Sequence, residues 1–216
     1  MRVCILLENL SFIGYVWSGK AGLSTMLTQE EKRELLGIAR EAIRLNLNSG
    51  SPRESPRFRG SLQEQKGAFV TIRIDKQLRG CIGCLDTTRP VAEVVTEVAP
   101  KAAVEDPRFP PLSVFELEQA TIEISVLSPL QAIHTIDEIE VGIHGLVIEL
   151  GPNRGLLLPQ VAREHSWDKG TFLSAVSRKA GLHPSAWQDP EARLYVFTAE
   201  VFGETEVMHG HEGDAS

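Results

Sequence analysis

Apolar residues recur at helical spacing from Leu36 through Ala39, Ile43 and Leu47, with charged positions between them, and predict an amphipathic helix. Thr28 ahead of Glu30 and Glu31 supplies a cap and an acidic first turn, and Asn48-Ser49-Gly50-Ser51-Pro52 ends the helix. The stretch that follows, to about Gly67, holds Pro52, Pro56 and four basic residues and is expected to be an exposed connection. Residues 67–74 alternate as a strand, Asp75-Lys76-Gln77 turns, and 78–83 return, so a hairpin presents Cys81. Thr88-Arg89-Pro90 opens a second helix with Val91, Val94, Val95 and Val98 on one face; Thr88 is its expected cap, and Pro100 is expected to kink or end it. Strands are predicted over 120–127, 142–150 and 193–202, with a turn at 151–155 leading into Leu156-Leu157-Leu158. Short helices are predicted over 159–164 and 169–180, the latter closed by Gly181. A loose tail is expected after Gly203.

Composition narrows the class. The 216 residues are 42% hydrophobic and 24% charged, enough for one large domain or two packed halves. A net charge of −7 argues against a broad phosphate-binding surface and leaves room only for a local basic cleft. Three cysteines, two of them three positions apart, do not build a secreted disulfide framework, so a reducing, cytoplasmic setting is expected. Glu8 interrupts the apolar run 3–7, which argues against a signal peptide, and no apolar run approaches the roughly 20 residues of a membrane span. Residues 1–25 are read as an N-terminal extension, 26–204 as the domain and 205–216 as a flexible tail.

Leu78-Arg79-Gly80-Cys81-Ile82-Gly83-Cys84 carries the most chemistry, because it sets a thiol between two glycines behind an arginine. Glycines permit close approach of another group, and a neighbouring cation favours thiolate. Cys81 is open to a nucleophilic role with Arg79, His144 or His165 in support, to a dithiol role with Cys84, and to a purely packed role. Zinc lacks a second ligand pair at plausible spacing, so no metal is expected. His144, flanked by Gly142 and Gly145, is a candidate acid or base, or else a turn histidine satisfying the backbone. Glu123 and Ser125 share one strand face, either toward a cleft or toward solvent. Arg108, after Asp106-Pro107, is open to an anion or to a carboxylate partner, and Gln160 at a helix start to a ligand or to capping. No phosphate loop, dinucleotide fingerprint or serine elbow is present.

Taken in order, several segments make the chain resemble the AMMECR-type domain family. They are Leu78-Arg79-Gly80-Cys81-Ile82-Gly83, then Asp106-Pro107-Arg108-Phe109-Pro110-Pro111-Leu112 with Glu116-Leu117, and Glu123-Ile124-Ser125-Val126-Leu127. Gly142-Ile143-His144-Gly145-Leu146, Leu158-Pro159-Gln160-Val161-Ala162, Trp167, and Lys179-Ala180-Gly181-Leu182 before Trp187 follow. The resemblance implies an α+β fold of two interlocked subdomains around mainly antiparallel sheet with flanking helices. It also implies work beside a Memo-like protein and a radical SAM protein, with RNA modification or another nucleotide-containing or small substrate as the suggested setting. It implies no settled reaction, and no cofactor is expected. The chain departs from the family picture at Cys84, at Pro100 and in residues 1–25. In an enzyme, Arg79, Cys81, Glu123 and His144 would line one cleft, with Cys81, His144 and Glu123 catalytic and Arg79, Gly80, Gly83, Ser125, Arg108 and Gln160 binding substrate. In a non-catalytic adaptor, the same groove would bind a ligand, peptide or RNA for a separate catalyst. Oligomeric state is not read from the sequence.

Overall fold

The computed structural model describes residues 26–48, 58–85 and 88–209, together with the backbone of 4–6. The expectations for most of 1–25, for 49–57 and for the end of the tail lie outside them. The described chain divides into two compact units: 127–199 form one, and the residues on either side form the other. The second unit is therefore an insertion in the chain of the first.

The first unit is built on a five-stranded sheet. Its strands are β1 (Cys4–Leu6), β2 (Ala68–Ile74), β3 (Gln77–Cys84), β4 (Thr121–Leu127) and β9 (Ala199–Gly203), in the order β1-β3-β2-β4-β9. Helix α1 (Gln29–Leu47) begins where Thr28 accepts the Glu31 N–H and the Glu31 carboxylate returns to the Thr28 N–H. It buries Leu35, Leu36, Ala39 and Ile43, the predicted face. These pack with α2 (Val91–Val104) against one side of the sheet, where Ala68, Val70, Ile72, Ile82, Cys84, Ile122, Ile124 and Val126 complete the core. Helix α3 (Val114–Gln119), which the hydrophobic pattern did not reveal, starts with its own capping box between Ser113 and Glu116.

Four expectations are corrected here. Pro100 does not end α2, which runs on to Val104; burial of Ala102 and Ala103 outweighs the lost hydrogen bond. Pro90 takes the cap position of α2 with no side-chain bond, so Thr88 is not its cap. The end of the supposed exposed connection is packed: Phe58, Ser61, Leu62 and Lys66 are buried around a short 3-10 turn at Gly60–Gln63. Beyond Gly203 the chain forms α6 (Glu204–His209), held by the buried Val207 and by Glu204. Glu204 accepts two short hydrogen bonds of 2.6 Å from Arg40 and one from the Ile122 N–H at 2.8 Å, and Arg40 also donates to the Leu117 and Ala120 carbonyls.

The second unit holds an antiparallel sheet of β5 (Gln131–Ala132), β6 (Gly145–Leu150), β7 (Asn153–Leu157) and β8 (Arg193–Phe197), in the order β5-β8-β6-β7. Helices α4 (Pro159–Glu164) and α5 (Lys169–Lys179) match their predicted spans, and Gly181 takes a left-handed φ of 73° beyond α5. The single strand expected over 193–202 is two, β8 and β9, which belong to different sheets. Among the described residues no helix is long and apolar enough to cross a membrane.

Candidate functional site

The β2–β3 turn places Asp75 and Lys76 at φ 51° and 66°, a two-residue reversal suited to the twist of a hairpin. Ile74 then pairs with Gln77 and Arg73 with Leu78, but Ile72 pairs with Gly80. Arg79 is the extra residue of a β-bulge, and bulges re-aim side chains. Its guanidinium lies 3.0 Å from the Glu116 carboxylate and donates to the Pro110 and Pro111 carbonyls, so its charge is committed to the 106–116 segment and not to the thiol. Arg79 and Arg108 stand 5.9 and 5.5 Å from the Phe109 ring centre, so both guanidinium groups interact with that ring. Hydrogen bonds from Arg79, then from the Ser113 N–H, draw the Glu116 carboxyl down to about 2.

Past the bulge the register is regular. Cys81 faces Thr71 on β2, and Thr71 faces Glu123 on β4; one step along, Gly83, Phe69 and Ser125 form the next row. All six lie on the sheet side opposite α1 and α2. This face is polar yet closed: Thr71, Cys81 and Ser125 are at most 1% exposed and Glu123 6%. The Cys81 sulfur lies 3.1 Å from the Thr71 hydroxyl. Cys84 lies on the other face, in the apolar core. Two cysteines three apart on a strand cannot meet, so the dithiol reading fails on geometry.

Burial pushes the Cys81 thiol up to about 12. The Thr71 hydrogen bond and the Arg108 charge oppose the shift, and the Glu123 and Asp106 charges add to it. At neutral pH the sulfur is a thiol. Asp106 receives the Cys81 N–H at 2.8 Å, the Arg108 N–H at 3.1 Å and two bonds from the Arg108 guanidinium. Burial opposes ionisation of Asp106, but the Arg108 side-chain bond and the two backbone donors prevail and hold its carboxyl below the usual range. Arg108 has thus met a carboxylate, the second of its two predicted fates.

The glycines have definite tenants. A Cβ on Gly80 would stand 2.1 Å from the Ala102 carbonyl oxygen, so this glycine lets α2 cross β3 at contact distance. On Gly83 it would stand 2.1 Å from the Phe69 ring, which covers the glycine across the strands. Gly145 in the second unit repeats the device under its register partner Phe197, at 2.3 Å. Gly80 and Gly83 close the backbone around Cys81 and do not open space beside it.

His144 and Gln160 belong to the second unit. His144 precedes β6; its Nδ1 accepts the Glu140 N–H at 3.1 Å and its own N–H donates to the Glu140 carbonyl, so the ring locks a turn. Gln160, in the first turn of α4, is 8% exposed, and its amide nitrogen has no hydrogen-bond partner among the described residues. The Ser125 hydroxyl is likewise unpartnered among the described residues. The structure thus gathers Cys81, Glu123 and Ser125 on one sheet face with Asp106 and Arg108 at its edge, and directs Arg79 away. No group of three or more His, Cys, Asp or Glu residues that could hold a metal occurs among the described residues. Thr71 and the ion-pair role of Glu116 were missed: the bulge hides which β2 residue faces Cys81, and the local signal at Glu116 is only its place as the third residue after Ser113, a capping signal.

Comparison with known proteins gives a consistent picture. The family model AMMECR1 matches residues 36–202. Protein MK0488 of Methanopyrus kandleri is 42% identical over 189 residues, covering 83% of this chain and 91% of its own length. Protein PH0010 of Pyrococcus horikoshii is 41% identical over 181 residues, covering 79% and 88%. The crystal structure of PH0010, described as an uncharacterized protein, matches with a TM-score of 0.74 at 40% identity, over 79% of this chain and 90% of that one.

Proposed function

The chain belongs to the AMMECR1 family, and from that premise we propose that it is a recognition module that acts without a thiol nucleophile. It binds a small polar ligand at the β2–β3–β4 face of the first unit, which must open to admit it, and hands it to a separate catalyst. The observation that carries this reading is the state of Cys81: fully buried, 3.1 Å from Thr71, and pushed up to about 12. A thiol so placed has no thiolate to attack with. What remains for recognition is the Ser125 hydroxyl, a buried polar atom without a partner among the described residues, with the Glu123 carboxylate in the next row of the same face. A buried hydroxyl left unpaired costs free energy that a ligand group or water would recover. The Memo-like and radical SAM proteins implied by the sequence resemblance are the proposed catalysts, and a nucleotide-containing compound is the proposed ligand.

Mass spectrometry of small molecules that co-purify with the intact protein tests the proposal. Cys81→Ala is expected to retain the same compound, whereas Ser125→Ala and Glu123→Gln lose it while keeping the native circular dichroism spectrum. Loss from a folded Cys81→Ala protein, with retention by the other two, would overturn the assignment.

A further inference from the structure

The second unit holds a pocket of about 220 Å³ on its own surface, away from the residues that carry the proposed function in sequence and in unit. Ile133, Ile136 and Leu194 give it apolar walls and Trp187 adds an indole, while His134, Thr135 and Asp189 supply polar groups and the open lining is more polar than apolar. The walls are tied by backbone bonds: the Ile133 N–H donates to the Leu194 carbonyl at 3.0 Å, and the Trp187 turn is held by Ala186 N–H to His183, Gln188 N–H to Ser185 and Asp189 N–H to Ala186. Asp189 is exposed; one carboxylate oxygen takes the Glu191 N–H at 2.8 Å, and the other has no hydrogen bond among the described residues. The His134 ring likewise has none there. Ile136 is 37% exposed at the mouth.

We propose that this pocket receives a single arginine side chain presented by a peptide segment of a partner protein. Ligand pockets for whole small molecules run to about 300–1,000 Å³, and this one is the size of one side chain. Apolar walls suit the methylene stem, an indole suits the flat, weakly hydrated guanidinium, and the free oxygen of Asp189 suits its N–H donors. The charges nearby agree. Asp137, Glu138 and Glu191 lie in the two segments that form the pocket, against Arg193 beside Leu194 and Lys169, whose Nζ is 3.5 Å from the Asp137 carbonyl. An anionic group would meet this excess of carboxylates, and a neutral ring would leave Asp189 unanswered.

Proton–nitrogen NMR of the full chain titrated with the peptide acetyl-Gly-Arg-Gly-amide tests the proposal, with the Trp187 indole signal assigned through Trp187→Phe. A saturable shift of that signal and of the Leu194 amide is expected, with a dissociation constant on the order of millimolar for one side chain. Asp189→Asn keeps an acceptor for the Glu191 N–H, so the turn survives, and binding is expected to weaken about tenfold. The citrulline peptide, which keeps the shape without the charge, is expected to give no saturable shift. Equal binding of the citrulline peptide, unchanged binding by Asp189→Asn, or a Trp187 signal that no arginine peptide moves would each overturn the proposal.

Discussion

Gly80 and Gly83 differ in what they exclude, and the difference has measurable consequences. The obstacle at Gly80 is the backbone of α2, which cannot yield without moving the helix; at Gly83 it is the Phe69 ring. Gly80→Ala is therefore expected to cost about 3 kcal/mol and Gly83→Ala about 1–2 kcal/mol, read from urea unfolding. Phe69→Leu in the Gly83→Ala background should restore part of the loss, a non-additivity absent from the Gly80 pair. That these glycines are special was legible in their spacing around Cys81. Which group approaches each was not, because α2 and Phe69 reach them through tertiary contacts. Glu116 gives a pH signature at the same scale. Its folded carboxyl titrates near 2, below its ordinary 4.5, so its contribution is present above about 4.5 and fades as pH falls toward 2. Urea midpoints measured down that range should fall more steeply for the wild type than for Glu116→Gln. Parallel curves would show that the Arg79–Glu116 contact adds nothing to stability.

At the scale of elements, amphipathic pattern found the helices that bury a stripe, α1, α2 and α5, and missed those fixed by capping and single ion pairs, α3 and α6. Among the described side chains of helix α6 the apolar anchor is Val207, and a single anchor announces no periodicity. Its attachment runs through Glu204, which joins Arg40 of α1 to the Ile122 N–H of β4. Removing one partner of such a pair leaves the other uncompensated. Glu204→Gln is expected to lower stability by about 2 kcal/mol, and a chain ending at Gly203 by more, both by urea unfolding. No change on truncation would mean that α6 only rests against the unit. Pro100 teaches the converse lesson. Pro100 was expected to kink or end the helix, yet α2 continues past it, buried along Val91, Val94, Val95, Val98 and Ala102, and packing decided against an end there.

For the whole molecule, family and fold class were legible because ordered short segments specify them together, and the α+β architecture with antiparallel sheets followed. Where the two units divide was not, because β8 and β9 read as one strand until Thr198 separates them into two sheets. Nor could the sequence show whether Arg79 activates Cys81, since a one-residue bulge decides where the guanidinium points. The functional account stands on the resulting state of Cys81, and alkylation of the native protein measures that state. With iodoacetamide at neutral pH and peptide mass spectrometry, Cys81 is predicted to remain unmodified while the same residue in urea reacts fully, because native reaction must await opening of the sheet. Alkylation of Cys81 in the native protein as fast as in urea, or faster, would reveal an accessible thiolate and contradict the account.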